Sequence, residues 1–231
     1  DDRLSTRRPR SAGRGNEGKR AMVYASRDST RASRTLPATS TLDLETDEGW
    51  LTIWLNEPAQ RNPLSLQRVA DLARVCETLA LRPDIRGVVF RGRGGVFCTG
   101  GDLSVLRGAA QGEVERDALL RASRATGALM RRVATLPQLT VMAVEGEALA
   151  GGCGLAAAGD IVVAERTAVF AFVETTMGLV PAQVAPVVTA RLGQRMARRL
   201  LLLGDRLTAE DALAAGLADR VVADRAALEA E

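Results

Sequence analysis

Two glycine-rich turns and one carboxylate are the parts of this sequence best suited to chemistry. The turns are residues 97–103 (FCTGGDL) and residues 150–155 (AGGCGL). Glycine lets a backbone approach a ligand because it has no Cβ, and the first turn of a helix offers unpaired N–H groups. Glu174 is the one carboxylate in an otherwise apolar run, residues 170–174. Together these features predict two backbone donors for an oxyanion and an acid–base group nearby.

Each of these features also has a simpler interpretation. A Gly-Gly pair after a strand is more often a tight turn than a catalytic element. A lone glutamate such as Glu174 is more often a solvated charge at the edge of the fold. The presence of both turns and this glutamate in one chain is what favours a site.

The sequence contains no histidine. Catalysis by Ser-His-Asp or Cys-His groups and metal sites with histidine ligands are therefore excluded, which leaves carboxylates and backbone donors. Three cysteines, Cys76, Cys98 and Cys153, are too few and too scattered for a disulfide framework or a zinc site. They fit a reducing compartment, so we expect a cytoplasmic protein with no bound metal.

The formal charge of +3 arises at the N-terminal end. Residues 1–40 hold 10 Arg and Lys against 4 Asp and Glu, a net charge of +6. Residues 41–231 hold the remaining 21 Arg and Lys against 24 Asp and Glu, a net charge of −3. With a single aromatic residue, Tyr24, in this segment, the pattern does not favour a nucleic-acid partner. No run reaches the roughly 18 apolar residues of a membrane span, so no membrane partner is expected. Residues 1–40 lack apolar periodicity and are predicted to form a disordered basic tail.

Strands and helices alternate in the pattern that must position these residues. Residues 41–45 and 50–55 alternate about a turn at 47–49, which predicts a β-hairpin. Ser65 is a predicted N-cap for a helix with one apolar face to about Leu81. Further strands are predicted at 85–90, 140–144, 160–164 and 217–222, and further helices at 113–136, 151–158, 184–192, 194–203 and 208–215. The repeated order of strand, turn and helix predicts an α/β fold.

These segments together resemble the crotonase (enoyl-CoA hydratase/isomerase) superfamily from about residue 42 to residue 222. The matching motifs, in the family's order and spacing, are 61–65 (RNPLS), 97–103, 150–155, 160–161, 170–174, 178–181 (GLVP) and the helix at 208–217. The resemblance implies a crotonase-type spiral of ββα repeats, with the core at 41–200 and a partial helical region at 201–231. It also implies acyl-CoA substrates, a role in fatty acid metabolism, no cofactor beyond the substrate's coenzyme A, and a homotrimer or hexamer.

The same resemblance implies roles for single residues. The thioester oxygen would lie between the backbone N–H groups of Gly101 and Gly151, and Glu174 would move a proton at the adjacent carbon. Arg61 corresponds to a basic residue that the family often has near the coenzyme A phosphates, although a surface charge explains it equally well. The other candidates for substrate binding are Cys98, Gly100, Asp102, Gly152, Gly154 and Pro181. Asp102 is also explained as a cap of the next helix.

Gly154 departs from the pattern of many family hydratases, which have a glutamate at this position. In those enzymes this glutamate and the one at the position of Glu174 together hold and activate a water molecule. A subset that acts on branched, glutaconyl-type acyl-CoAs has glycine instead, with a Gly-Leu-x-Pro-Ala-x-x-x-Pro run like residues 178–186. We therefore predict hydration of a 2-enoyl-CoA with one glutamate, with Glu147 as a speculative second carboxylate. A Δ3,Δ2-enoyl-CoA isomerase and a non-catalytic acyl-CoA-binding subunit remain open alternatives.

Two regions bear on the shape of the pocket. Family members usually continue beyond residues 217–222 with two or three helices that pack on the trimer, whereas the sequence ends at Glu231. The resemblance thus implies either a truncated chain or a more open pocket with weaker assembly. The loop at 104–113 is expected to control acyl chain length.

Overall fold

The computed structural model of the chain describes residues 35–102, 108, 111–112 and 114–231. The predicted tail lies mostly outside these residues, and so does most of the predicted loop at 104–113. Within the described part, Leu36 packs against the core and Ser40 donates its N–H to Asp71, so both contact the folded unit. That unit spans Ser33–Glu231.

Strands and helices alternate through the described residues, which confirms the predicted α/β fold. The strands are β1 Leu42–Asp47, β2 Trp50–Leu55, β3 Gly87–Gly92, β4 Leu139–Val144, β5 Glu147–Leu149, β6 Ile161–Glu165, β7 Val169–Ala171, β8 Arg206–Thr208 and β9 Arg220–Val222. The helices are α1 Leu66–Leu79, α2 Arg116–Val133, α3 Gly151–Ala157, α4 Ala185–Leu203, α5 Ala209–Ala214 and α6 Arg225–Ala230. Short 3-10 turns occur at Pro58–Gln60, Arg93–Gly95 and Glu174–Met177.

The strands form two sheets. A six-stranded sheet has the order β1-β2-β3-β4-β6-β9, in which β1 and β2 are the predicted antiparallel hairpin and the later pairs are parallel. A small sheet has the order β5-β7-β8. Parallel neighbours require crossover connections, and here helices supply most of them. The helices α1 to α5 pack with buried strand residues in one large apolar core.

Most predicted elements are present, with shifted ends. The predicted helix from Ser65 begins at Leu66, and the Ser65 side chain accepts a hydrogen bond from the N–H of Arg68, as an N-cap does. The two helices predicted at 184–192 and 194–203 are one element, α4, with a break in helical geometry at Gly193, whose φ is 71°. The three-residue strands β5, β7 and β8 are not in the prediction.

Two charged side chains of α1 are fully buried, which the apolar pattern of the helix does not predict. Arg68 donates to the carbonyl oxygens of Pro63 and Thr41 and pairs with Glu57 at 2.7 Å. Asp71 accepts hydrogen bonds from the backbone and hydroxyl of Thr41 and from Ser40. These contacts fasten the segment before β1 and the turn before α1 onto the same helix.

Candidate active site

The two glycine-rich turns meet in the structure, although about fifty residues separate them in the chain. Residues 97–98 run alongside β5, because Cys98 donates its N–H to the Glu147 carbonyl at 3.0 Å and accepts from Leu149 N at 2.9 Å. The next turn then reaches the start of α3. A Cβ placed on Gly100 would lie only 2.9 Å from Gly151 N and 2.7 Å from the Leu149 carbonyl oxygen. Only glycine permits this approach, since real Cβ atoms do not come so near.

Gly101 and Gly151 are neighbours at this meeting point. A Cβ placed on Gly151 would lie 3.8 Å from the N atom of Gly101 and 3.1 Å from Leu64 Cδ1. Leu64 in turn donates its N–H to the Gly100 carbonyl at 2.7 Å, which joins the turn before α1 to the same point. The structure therefore brings together the two backbone amides that the sequence singles out.

The entry to α3 carries backbone strain. Ala150, which precedes Gly151, has φ 48° and ψ −121°, in the region that non-glycine residues rarely adopt. Such a conformation costs on the order of 1–3 kcal/mol and persists only where surrounding contacts enforce it. Here the Ala150 N–H is held by the Ala171 carbonyl at 2.7 Å, and its own carbonyl accepts from Gly154 N at 3.0 Å. Strained residues cluster at functional sites, so this position supports a functional role for the turn.

Cys98 and Gly152 lie in close contact with each other where the two turns meet. A Cβ on Gly152 would lie 2.7 Å from the Cys98 carbonyl carbon and nearer still to its oxygen, so no side chain fits there. Cys98 is fully buried, and its Sγ accepts a hydrogen bond from Gly100 N at 3.5 Å. Burial raises the pKa of the Cys98 thiol to about 11. A thiol with that pKa is not a nucleophile near neutral pH, so its contribution is packing.

Glu174 faces inward. It begins the 3-10 turn after β7, and only 9% of the residue is exposed. Its Oε2 atom has no hydrogen-bond partner among the described residues, and burial raises the pKa of the carboxyl. Cys153 of α3 lies close enough that the Glu174 charge, after burial, raises the pKa of its thiol. A buried, unpaired carboxyl with a raised pKa is suited to proton transfer.

The other buried carboxylates of the described residues are engaged. Asp71 accepts several hydrogen bonds, and Glu145 pairs with Arg91 at 2.5 Å. Glu147, the speculative second carboxylate, lies in ion pairs with Arg61 and with Arg206. Both of its oxygens are thus neutralised by arginines.

No side chain can be added at Gly154 unless Val184 moves. A Cβ there would lie 2.7 Å from Val184 Cβ and closer still to Val184 Cγ1. Val184 is 1% exposed and precedes α4 directly. The volume in which a glutamate at 154 would begin is therefore occupied, and among the described residues Glu174 is the one buried carboxyl without a hydrogen bond or ion pair to another side chain. Sequence reasoning does not find Val184, since no local pattern connects it with Gly154.

The remaining candidates lie at the margins of these contacts. Arg61 has a left-handed backbone, φ 62°, and its carbonyl accepts from Thr99 Oγ1 at 3.0 Å, while its side chain is about half exposed. Pro181 is buried and accepts from Ala185 N at 3.0 Å at the start of α4. The residues that follow Asp102 directly lie outside the described part, so its role as a helix cap stays a prediction. Substrate contacts of these three residues stay predictions.

Neither a cluster of metal-binding side chains nor a membrane-spanning helix occurs among the described residues. No three or more Cys, Asp or Glu side chains in the described part are arranged to hold a metal ion. No helix there combines the length and the apolar character that a membrane span requires.

Known proteins are similar to this chain in sequence and in fold. A profile of the family Enoyl-CoA hydratase/isomerase matches residues 45–231. Enoyl-CoA hydratase domain-containing protein 2, mitochondrial, of Homo sapiens is 38% identical over 182 residues, which cover 77% of this chain and 60% of that protein. The 1,2-epoxyphenylacetyl-CoA isomerase of Escherichia coli strain K12 is 34% identical over 179 residues, covering 77% of this chain and 68% of that protein.

A solved structure agrees with these relatives. The crystal structure of an enoyl-CoA hydratase/isomerase from Marinobacter aquaeolei is 38% identical, with a TM-score of 0.77, and the alignment covers 82% of this chain and 73% of that chain. The chain thus spans three fifths to three quarters of the length of these proteins. Because the family profile extends over most of the sequence and the fold agrees, the chain belongs to the enoyl-CoA hydratase/isomerase family, the crotonase superfamily.

Proposed function

We propose that the chain is an acyl-CoA enzyme of the enoyl-CoA hydratase type, which adds water to a 2-enoyl-CoA. The observation that carries this proposal is the Glu174 carboxyl, which is buried, has no ion pair among the described residues, and has a raised pKa. Its charge acts on Cys153, two residues beyond Gly151, so the acid–base group and the strained glycine turn belong to one region.

The proposed mechanism uses the backbone for charge and the carboxylate for protons. The N–H groups of Gly101 and Gly151 donate to the thioester oxygen. Glu174 takes a proton from water while the water oxygen bonds to C3, and the C2–C3 π electrons move toward the thioester carbonyl to give an enolate. Glu174 then delivers its proton to C2, so that H and OH have added across the double bond. Removing one such oxyanion donor typically costs about 10²–10³ in rate.

The raised pKa of Glu174 suits both halves of this cycle. A carboxylate with an ordinary pKa, about 4.3, is a weak base toward water. A pKa nearer to the working pH lets the same group accept a proton and return it.

A second candidate, a Δ3,Δ2-enoyl-CoA isomerase, is favoured by the contact between Gly154 and Val184. Because that contact excludes a second carboxylate at 154, Glu174 would have no partner to position water, yet it could by itself take a proton from C2 and deliver it to C4 as the double bond moves from C3–C4 to C2–C3. The E. coli relative named as an isomerase is consistent with this alternative. A non-catalytic acyl-CoA-binding subunit is the third possibility.

One experiment separates these functions. The protein is incubated with 2-enoyl-CoA and 3-enoyl-CoA substrates in D₂O, and the products are identified by mass spectrometry. A deuterated 3-hydroxyacyl-CoA supports hydration, whereas a shifted double bond without the hydroxyl group supports isomerisation. Binding without any product supports the non-catalytic subunit. Absence of both binding and turnover across an acyl-CoA panel would remove all three.

The Glu174→Gln variant tests the role of the carboxyl directly. Turnover should fall by about 10²-fold or more, the usual contribution of general acid–base catalysis, while acyl-CoA binding survives. Glu210→Gln, an exposed glutamate at the first turn of α5, is the matched control and should keep full activity. Full activity in Glu174→Gln would remove this residue from the mechanism.

Coenzyme A recognition and assembly belong to the same proposal. We propose that Arg61 lies near the coenzyme A phosphates, that no cofactor is needed, and that the protein forms a homotrimer or hexamer in the cytoplasm. Arg61→Ala should raise KM for the acyl-CoA with little change in kcat. Light scattering after size exclusion measures the assembly.

A further inference from the structure

A groove of about 910 Å³ lies between α2 and α4, with the end of α3 as part of its lining. Its buried apolar residues include Met130 of α2, Ala157 and Ala158 at the end of α3, and Val187 of α4. Arg124, Arg131 and Arg191 also line it. No group described above as catalytic contributes to it.

The groove and the glycine turn lie along one face of α3. Residues three, four and seven positions apart share a helix face, so Gly151, Gly154 and Ala158 follow one another at intervals of about one turn. Gly151 is at the meeting of the two turns, and Ala158 lines the groove. Gly154 lies between them and does not line the groove.

Val184 fills this intermediate position. Its Cγ1 lies against Gly154, while Gln183, which precedes it, and Pro186, two residues after it, line the groove. Gln183 is itself tied to α2, because its Nε2 donates to Ser123 Oγ at 2.5 Å. Val184 is therefore held in place by neighbours that line the groove, and its side chain lies against Gly154 in the first turn of α3.

We infer that Val184 is a specificity-determining residue that separates the reacting centre from the groove and limits the site to short acyl groups. This inference rests on the proposed function, because it takes the thioester to be bound at Gly101 and Gly151. An acyl chain that extends along α3 meets the Val184 side chain after one helical turn. Replacing this side chain by a smaller one joins the two spaces and admits longer chains.

The test compares kcat/KM for crotonyl-CoA, 2-hexenoyl-CoA and 2-octenoyl-CoA in wild type and Val184→Ala. Each methylene that becomes buried contributes a factor of about four to binding. Wild type should prefer crotonyl-CoA. Val184→Ala should raise the ratio of kcat/KM for 2-octenoyl-CoA to kcat/KM for crotonyl-CoA by about tenfold or more, mainly by lowering KM for 2-octenoyl-CoA. Val188→Ala is the matched control, because Val188 is fully buried in α4, four residues after Val184, but does not line the groove. It should leave the ratio unchanged.

A second pair of measurements keeps the inference testable if Val184→Ala folds poorly. Val184→Ile keeps the branched side chain and lengthens it, so it should reduce turnover of hexenoyl-CoA more than that of crotonyl-CoA. Gly154→Ala should lower the thermal midpoint in wild type and less in the Val184→Ala background, because loss of Val184 Cγ1 removes the nearer of the two contacts with the added Cβ.

The outcomes separate this inference from the proposed function. If wild type converts crotonyl-CoA but the chain-length ratio is the same in Val184→Ala, Val184→Ile and wild type, the inference about Val184 is wrong and the proposed function stands. A wild type that already prefers octenoyl-CoA also overturns it. If wild type neither binds nor converts any acyl-CoA, the proposed function fails, and this inference fails with it.

Discussion

Asp71 is expected to make the stability of the fold depend on pH in the acid range. The residue is fully buried in α1 and accepts hydrogen bonds from Thr41 N at 3.2 Å and Thr41 Oγ1 at 2.9 Å. Burial by itself would raise the pKa of Asp71, but hydrogen bonds from Thr41, Arg74, Ser40 and Gln67 outweigh it and lower the pKa to about 2. In the unfolded chain the pKa of an aspartate is about 3.9.

The sign and size of the effect follow from these two pKa values. Because the folded value is the lower one, folding favours the ionised carboxylate, and its contribution to the free energy of unfolding is complete above about pH 4. The contribution is lost as the pH falls through the folded pKa, about 2. The difference of about two pKa units corresponds to about 2–3 kcal/mol, since each pKa unit is about 1.4 kcal/mol. Asp71→Asn should therefore lower the free energy of unfolding by at least this amount at pH 7.

Urea unfolding followed by circular dichroism measures this effect at pH 7 and at pH 2.5. The difference in stability between wild type and Asp71→Asn should be about 2 kcal/mol or more at pH 7 and about 1 kcal/mol or less at pH 2.5. Asp43→Asn is the control, because Asp43 bonds Asn56 on the surface and its replacement should change stability by less than about 0.5 kcal/mol. An equal difference between wild type and Asp71→Asn at both pH values would refute the reasoning.

Three further predictions address the site and the core. Gly152→Ala should destabilise the fold by about 2 kcal/mol or more in thermal denaturation, because the added Cβ overlaps the Cys98 carbonyl. Gly127→Ala in α2, where the added Cβ meets nothing nearer than 3.9 Å, should instead be neutral or stabilising by up to about 1 kcal/mol. Arg68→Met should lose about 3 kcal/mol in urea unfolding, since it leaves Glu57 without its buried cation, and a loss below 1 kcal/mol would contradict this. In a pH–rate profile, kcat/KM should fall on the acid side with an apparent pKa above the ordinary glutamate value of about 4.3, because burial raises the pKa of Glu174; a limb at or below 4.3 would contradict the role of this residue as the base.

Elements whose chemistry is local were predictable from the sequence. The Ser65 cap of α1 and the capping box of α5, in which Thr208 and Asp211 exchange side-chain-to-backbone hydrogen bonds, join residues only three positions apart. The long amphipathic helices and the strands of the large sheet were also predictable, because burial of one face makes apolar residues recur at a regular spacing in the sequence. In both cases the determining contacts are encoded within one short segment.

The small sheet was not predictable in the same way. Its strands β5, β7 and β8 have three residues each, which is too short for an alternating pattern to be distinguished from chance. Yet this sheet positions the site, since residues 97–98 pair with β5 and Glu174 follows β7. Pairing between segments that are distant in the chain decides its existence.

The sequence by itself determined the family and the residue types available for chemistry, namely the glycines of two turns, Glu174, and no histidine. Only the tertiary structure decided that Glu174 is buried and unpaired, that Glu147 is neutralised by arginines, and that Val184 fills the space over Gly154. The physical reason is that a carboxyl's pKa and the free volume beside a glycine depend on the atoms packed around them. Those atoms come from segments that are far apart in the chain.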